Sequence, residues 1–193
     1  CTATTTYEQP FSLARRFASL DVMSGGRAGW NLVTSANAAE AHNFGSDRHA
    51  AKSDRYRRAA EFAEVVQGLW NSWDDDAFVE DKEAGLYFDP DKLHVLNHEG
   101  EHFRVKGPLN VPRSAQGHPV MVQAGASEDG RELAAATADV IFAATPTIEL
   151  GRAYYADIKQ RVAKHGRNPD HVKIMPGVAA TVGRTSDEAA AKY

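Results

Sequence analysis

Short apolar runs of strand length alternate with amphipathic segments of helix length along this chain, and that rhythm restricts the fold more than any other feature. Residues 119–124 (Pro-Val-Met-Val-Gln-Ala) and 139–144 (Asp-Val-Ile-Phe-Ala-Ala) read as strands covered on both faces, as in parallel sheets. Residues 1–7, rich in threonine, residues 28–34, and a stretch within 172–182 supply further strands. Between them lie helices. Residues 9–20 enter through Pro10 and repeat Phe11, Leu13/Ala14, Phe17 and Leu20; the unit closes at Ser24-Gly25-Gly26. The clearest helix starts at Ser53, lines Ala59, Phe62/Ala63, Val66, Leu69/Trp70 and Trp73 on one face, and ends at Asp74-Asp75-Asp76. Residues 128–136, 148–165 and the stretch from Ser186 onward continue the pattern.

Strand–helix repetition of this kind implies a parallel sheet with right-handed crossovers, either a doubly wound open sheet or a (β/α) barrel. A full barrel takes eight units and roughly 250 residues. The 193 residues hold about five units, which is the expectation for part of a barrel. The chain opens inside a strand-like run without an initiator Met and stops inside a helical one, so both ends read as cut through elements. Residues 1–193 are expected to form a single domain, with 77–118 as an insertion. Within that insertion, 94–96 and 102–105 flank the turn-like 97–101 as a hairpin. Residues 35–52 form a polar, irregular loop; it and the insertion are candidate covers for a site.

Several function classes are disfavoured. A net charge of −4 leaves no clustered basic face for nucleic acid. No apolar run reaches the length of a membrane span. The single cysteine, Cys1, allows no internal disulfide and, with no leader-like pattern in the first residues, fits a cytoplasmic location. His94, His98 and His102 are regularly spaced, but a turn separates them and no cysteine is near; they are expected to be exposed hairpin histidines with no metal site. Neither a Gly-x-Ser-x-Gly elbow nor a Walker loop occurs.

The strongest local signal is 123–131 (Gln-Ala-Gly-Ala-Ser-Glu-Asp-Gly-Arg), where a buried strand runs through small residues into a helix start. Free N–H groups and the helix dipole there suit a phosphate, with Gly125 letting an anion approach; alternatively, Ser127 only caps its helix. Glu128 and Asp129 oppose an anion and Arg131 is placed to offset them. Residues 52–58 (Lys-Ser-Asp-Arg-Tyr-Arg-Arg) put cations at the wrong end of a helix dipole, consistent with an external anion or with a solvated face; Tyr56 falls in the first turn. Residues 27–35 place Asn31, Thr34 and Ser35 late on a strand, where barrel sites are built, while Trp30 reads as core.

Taken in order, the segments 4–18, 24–31, 54–56, 107–114 and 123–127 resemble the luciferase-like flavin monooxygenases, specifically the nitrilotriacetate/dibenzothiophene-sulfone monooxygenase group, over essentially the whole chain. The resemblance implies a (β/α)8 TIM barrel of the bacterial luciferase type, present here as a partial barrel with a hairpin insertion. It implies an oxygenase component of a two-component system, using reduced FMN from a separate NAD(P)H:flavin reductase and O2 to oxidise a small organic substrate, commonly as a homo-oligomer. Carried over residue by residue, the FMN contacts fall on Thr2, Asn31, Lys52, Tyr56, Ala126 and Ser127, with Tyr56 and Ser127 at the phosphate end and Asn31 near the ring. Lys52 stands where the group commonly has His, and lysine meets a phosphate as a point charge without an acceptor nitrogen. The group's earlier and later strands lie outside this chain, so no catalytic residue is assigned. A deazaflavin-dependent relative, or an inactive truncated flavin-binding one, are the alternatives.

Overall fold

The computed structural model describes residues 1–193. In chain order the first elements are β1 (Thr2–Thr4), α1 (Pro10–Ser24), β2 (Gly29–Val33) and α2 (Lys52–Trp70). Then come the short strands β3 (Phe78–Asp81), β4 (Leu86–Phe88), β5 (His98–Glu99) and β6 (Arg104–Val105). The chain continues with β7 (Val120–Gln123), α3 (Glu128–Thr137), β8 (Val140–Ala143), α4 (Ile148–Lys164), β9 (Lys173–Pro176) and α5 (Ser186–Lys192). No helix is long and apolar enough to cross a membrane.

Strand order decides between the two architectures. β1, β2, β7, β8 and β9 form one five-stranded sheet in that spatial order, every neighbouring pair parallel. A doubly wound sheet reverses direction at a switch point. Here each strand is added beside the previous one without reversal, the winding of a barrel wall.

The two faces of that wall differ. Trp30 and Leu32 of β2, Met121 and Gln123 of β7, and Ile141 and Ala143 of β8 face the helices and are buried. The alternate residues form the concave face, along which Thr2, Asn31, Val122, Val140 and Lys173 make one row across the sheet. These residues are only half-buried or exposed, as the inner face of an open arc must be.

Behind the sheet there are two cores. The larger packs Leu13 and Phe17 of α1, Phe62, Val66, Leu69 and Trp70 of α2, and Leu133 of α3 around Trp30. Trp30 is fully buried and donates its indole N–H to Ala3 O at 3.0 Å. The smaller gathers Ala134, Ala135, Ala138, Ile141, Tyr154, Ile158, Val162 and Val172. α1 starts at Pro10, whose missing N–H costs nothing there, and stops at Gly25, whose φ of 65° closes a left-handed cap.

Four local readings change. α2 ends at Trp70 rather than at the aspartates; Trp73 leaves the helix, bridges Leu93 and packs its ring on Phe78 and Phe88. The hairpin is shifted: His98 pairs Val105 and Glu99 pairs Arg104, after Asn97 takes a φ of 49°. A second hairpin, β3–β4, lies in 78–88, where short polar strands give little periodicity. His98 and His102 are not exposed: their side chains are 11% and 20% accessible, because Glu61 of α2 anchors this hairpin. The Glu61 carboxylate accepts from the backbone N–H of His102 and of Phe103, both at 2.8 Å, and from His98 Nε2 at 3.0 Å. Burial alone would raise its pKa; these hydrogen bonds outweigh it and hold the group below the usual carboxylate range. His94 stays exposed beside Asp74.

Candidate flavin cleft at the strand ends

The site is assembled where β1, β2 and β7 release their chains. A cleft of about 550 Å³ opens there, bounded by Thr2 and Thr4, Val33 to Ala36, Glu40, Tyr56 and Gln123 to Gly125. A larger open groove, about 1050 Å³, lies further along the wall beyond β8 and β9 and holds none of the residues singled out from the sequence.

Between β7 and α3 the backbone N–H groups of Gly125, Ala126, Ser127, Glu128 and Asp129 donate to no acceptor within the protein. Ser127 is the N-cap: its hydroxyl accepts from Gly130 N at 3.3 Å and lies 3.5 Å from the Tyr56 hydroxyl. Capping and proximity to Tyr56 therefore coexist.

Gly125 has a role beyond the expected one. A Cβ on it would sit 2.3 Å from the carbonyl oxygen of Gly130, so the missing side chain makes room for the first turn of α3. The same turn is pinned from behind. Tyr154 of α4 donates its buried hydroxyl to Gly125 O at 2.6 Å, and burial pushes that phenol up, so it remains a donor. Arg131 donates to Ala126 O at 3.1 Å and to Asp157 at 3.1 Å. With these two carbonyls held toward α4, the loop's free N–H groups have no competing internal partner.

Arg131 therefore does not offset Glu128 and Asp129. Arg161 takes Glu128 at 2.7 Å, and Lys52 stands 3.5 Å from Asp129. The two carboxylates nearest the free amides are thus charge-matched by residues far from them in sequence. Burial would raise Asp157, but hydrogen bonds from Arg161 and Arg131 overcome it and keep this clamp ionised below the usual range.

The three arginines at the start of α2 are engaged within the protein. Arg55 donates to Thr34 O at 3.1 Å and Ala50 O at 2.5 Å. Arg58 reaches Thr5 O and Glu8 O, both at 3.1 Å, over the face of Phe103. Arg57 pairs with Asp54 and Glu101. Arg55 and Arg58 thus staple the loops that follow β2 and β1 to α2, and so shape the cleft rim.

Thr2 and Asn31 are brought together on the concave face as cross-strand partners, Asn31 Nδ2 donating to Thr2 Oγ1 at 3.1 Å. Asn31 stands mid-strand rather than late on it, since β2 ends at Val33 and Thr34 and Ser35 lie past its end. Ala126 is exposed in the amide run, and Lys52 opens α2 with its ammonium 5.7 Å from the Tyr56 ring centroid. Sequence reasoning missed Tyr154 and the roles of Arg55 and Arg58. Only their contacts to distant carbonyls distinguish them from ordinary helix residues.

The profile of one known family matches the chain throughout: the description is luciferase-like monooxygenase, over residues 1–193. The chain belongs to that family. Among curated relatives it is 58% identical over 192 residues to nitrilotriacetate monooxygenase component A of Aminobacter aminovorans, covering 100% of this chain and 42% of that protein. It is 50% identical over 184 residues to dibenzothiophene-sulfone monooxygenase of Rhodococcus erythropolis, covering 95% of this chain and 41% of the relative. A crystal structure of riboflavin lyase with modified FMN and riboflavin superposes with a TM-score of 0.92 at 40% identity, covering 99% of this chain and 43% of that one. The chain thus spans about two-fifths of the length of the relatives it matches, and its sheet is a partial barrel of the luciferase type.

Proposed function

We propose that this chain is the FMN-holding sector of the oxygenase component of a two-component monooxygenase, acting with reduced FMN, O2 and a small organic substrate. The observation that carries the reading is the run of unpaired N–H groups from Gly125 to Asp129 beside the Ser127 and Tyr56 hydroxyls. That arrangement suits a phosphate monoester: backbone donors, two hydroxyl donors and a helix N-terminus converge, and the nearby carboxylates are already charge-matched. The relatives' names supply the reaction class, and the lyase structure supplies a family member that binds an FMN species. Identities of 50% and 58% to proteins named as monooxygenases favour this reading over a deazaflavin one.

Bound here, reduced FMN would supply the electrons that activate dioxygen; a separate NAD(P)H:flavin reductase would provide it in that state. The chain's own part is binding and orientation. Ser127, Tyr56 and the 125–129 amides would hold the phosphate, with Ala126 leaving the backbone unobstructed and Lys52 adding a charge shared with Asp129. Asn31 and Thr2 would address the polar edge of the ring: their mutual hydrogen bond leaves the Asn31 carbonyl to accept and the Thr2 hydroxyl to donate. The rim segment 36–51 and the hairpins of 77–118, the latter read as an insertion in the barrel, would limit access of water.

Titration of the full-length protein with FMN tests this. Ser127→Ala and Tyr56→Phe each remove one donor to a charged group and are expected to weaken binding about tenfold. If neither changes the affinity, the phosphate does not sit here.

A further inference from the structure

His49 lies in the segment between β2 and α2, after a 3-10 helix over Ala38–Phe44 where an irregular loop was expected, and makes two hydrogen bonds that converge on the cleft wall. Its Nε2 lies 2.9 Å from Ser35 O and its Nδ1 lies 2.6 Å from the Tyr7 hydroxyl. The Ser35 carbonyl fixes a hydrogen on Nε2. A carbonyl only accepts, so Nε2 carries the hydrogen; Nδ1 of the neutral ring then accepts, and Tyr7 donates. Tyr7 is fixed in turn by a parallel stack on Phe44, ring centroids 4.5 Å apart at 3°. Phe44 and His49 bracket the far half of the rim loop, and Tyr7 follows β1. The imidazole therefore ties three chain segments together.

What it holds matters for the cleft. Ser35 is one of the few non-glycine residues with positive φ, at 53°, a conformation that costs an L-residue about 1 kcal/mol or more. In that conformation its carbonyl faces His49 while its hydroxyl contacts Thr4 Oγ1 at 2.7 Å. Ser35 and Thr4 both line the cleft, as do Ala36 and Glu40 of the same loop. Without the His49 bond, the strained peptide loses its tertiary anchor at the carbonyl.

We propose that His49 is a positioning residue: by holding the Ser35 carbonyl and the Tyr7 hydroxyl it fixes the Ser35–Thr4 wall, and through it the affinity of the cleft for FMN. This rests on the flavin reading above, and the test separates the two. The variants are His49→Phe, which keeps a flat ring without hydrogen bonds, His49→Gln, which restores an N–H donor and an acceptor, and Tyr7→Phe, which keeps the Phe44 stack. Two readouts are taken on the full-length protein: amide hydrogen exchange across 35–51 without flavin, and FMN affinity by fluorescence titration. His49→Phe is expected to exchange faster in that segment and to bind FMN about three- to tenfold more weakly, the worth of one or two neutral hydrogen bonds. His49→Gln should recover most of both, and Tyr7→Phe should fall between. If exchange does not change in His49→Phe, or if it changes while FMN affinity stays at the wild-type value, the proposal is overturned. Equal losses in His49→Phe and His49→Gln would also overturn it, because ring packing rather than hydrogen bonding would then be responsible. If the wild type binds no FMN but exchange responds as expected, the flavin reading falls and the positioning role stands.

Discussion

Replacing Gly125 by alanine probes the candidate site with one added methyl group. The new Cβ would lie 2.3 Å from Gly130 O, 2.6 Å from Gly130 C and 3.1 Å from Arg131 N, all backbone atoms that no rotamer change can move. Relief to ordinary carbon–oxygen contact requires a shift of about 1 Å between the loop and the first turn of α3. Overpacking of this kind costs about 1–3 kcal/mol. The Tyr154 bond to Gly125 O is made by the atoms that must move, and its loss adds about 1 kcal/mol. The expected destabilisation is about 2–4 kcal/mol by urea denaturation, with FMN affinity reduced further because the 125–129 amides are displaced. Gly151→Ala, inside α4, is the matched control: its Cβ would meet only Thr145, Oγ1 at 3.4 Å and Cβ at 3.9 Å, so the change should be neutral or stabilise by about 0.5–1 kcal/mol. Equal stability of the two variants would refute the close-packed turn, and an unperturbed FMN affinity in Gly125→Ala would refute its link to the ligand.

Three further outcomes are expected. Glu61 has a folded-state pKa held below its unfolded value, so its contribution is present above about pH 4.3 and is lost as pH falls through the lower, folded value; Glu61→Gln should flatten this acid limb in pH-dependent denaturation, and an unchanged limb would assign it to other carboxylates. Asp21 is fully buried and accepts from Ala28 N at 2.9 Å, Ser114 Oγ at 2.5 Å and Gln116 Nε2 at 2.6 Å; Asp21→Ala orphans these donors and should cost about 2–4 kcal/mol, against under about 1 kcal/mol if the 113–117 link is independent of α1. Arg58→Lys keeps the charge but cannot span Thr5 O and Glu8 O with a fork, so protease cleavage in 5–9 should accelerate; unchanged protection would mean the loop holds itself.

The barrel was legible because its strands are written as apolar runs such as Val120-Met121-Val122, and because helix periods survive averaging over several turns. Its open arc is visible in which alternate residues, Trp30 and Leu32 against Asn31 and Val33, are buried. Ser127 and Tyr56 were findable from a strand-to-helix junction and a first-turn aromatic. The shifted hairpin was not, because two of its amides are held by Glu61, some forty positions earlier, a contact no local pattern records. For the same reason the cations of α2 were misread: a sequence shows that Arg55 and Arg58 are basic, but not that four backbone carbonyls wait for them. Gly125 was singled out for ligand approach, and the close approach of Gly130 O is a second reason for the glycine that no local pattern shows.

The split interior has a consequence for energetics. β7 and β8 are paired only at Val122↔Val140 and Gln123↔Ile141, and the two apolar clusters meet along this seam. α3 straddles it, giving Leu133 to one cluster and Ala134 and Ala135 to the other. Local opening is expected to divide along this seam, each half with its own free energy in hydrogen exchange. The free amides at the head of α3 lie on that boundary, so an anion captured there needs both halves closed. By linkage its binding energy would stabilise both halves jointly.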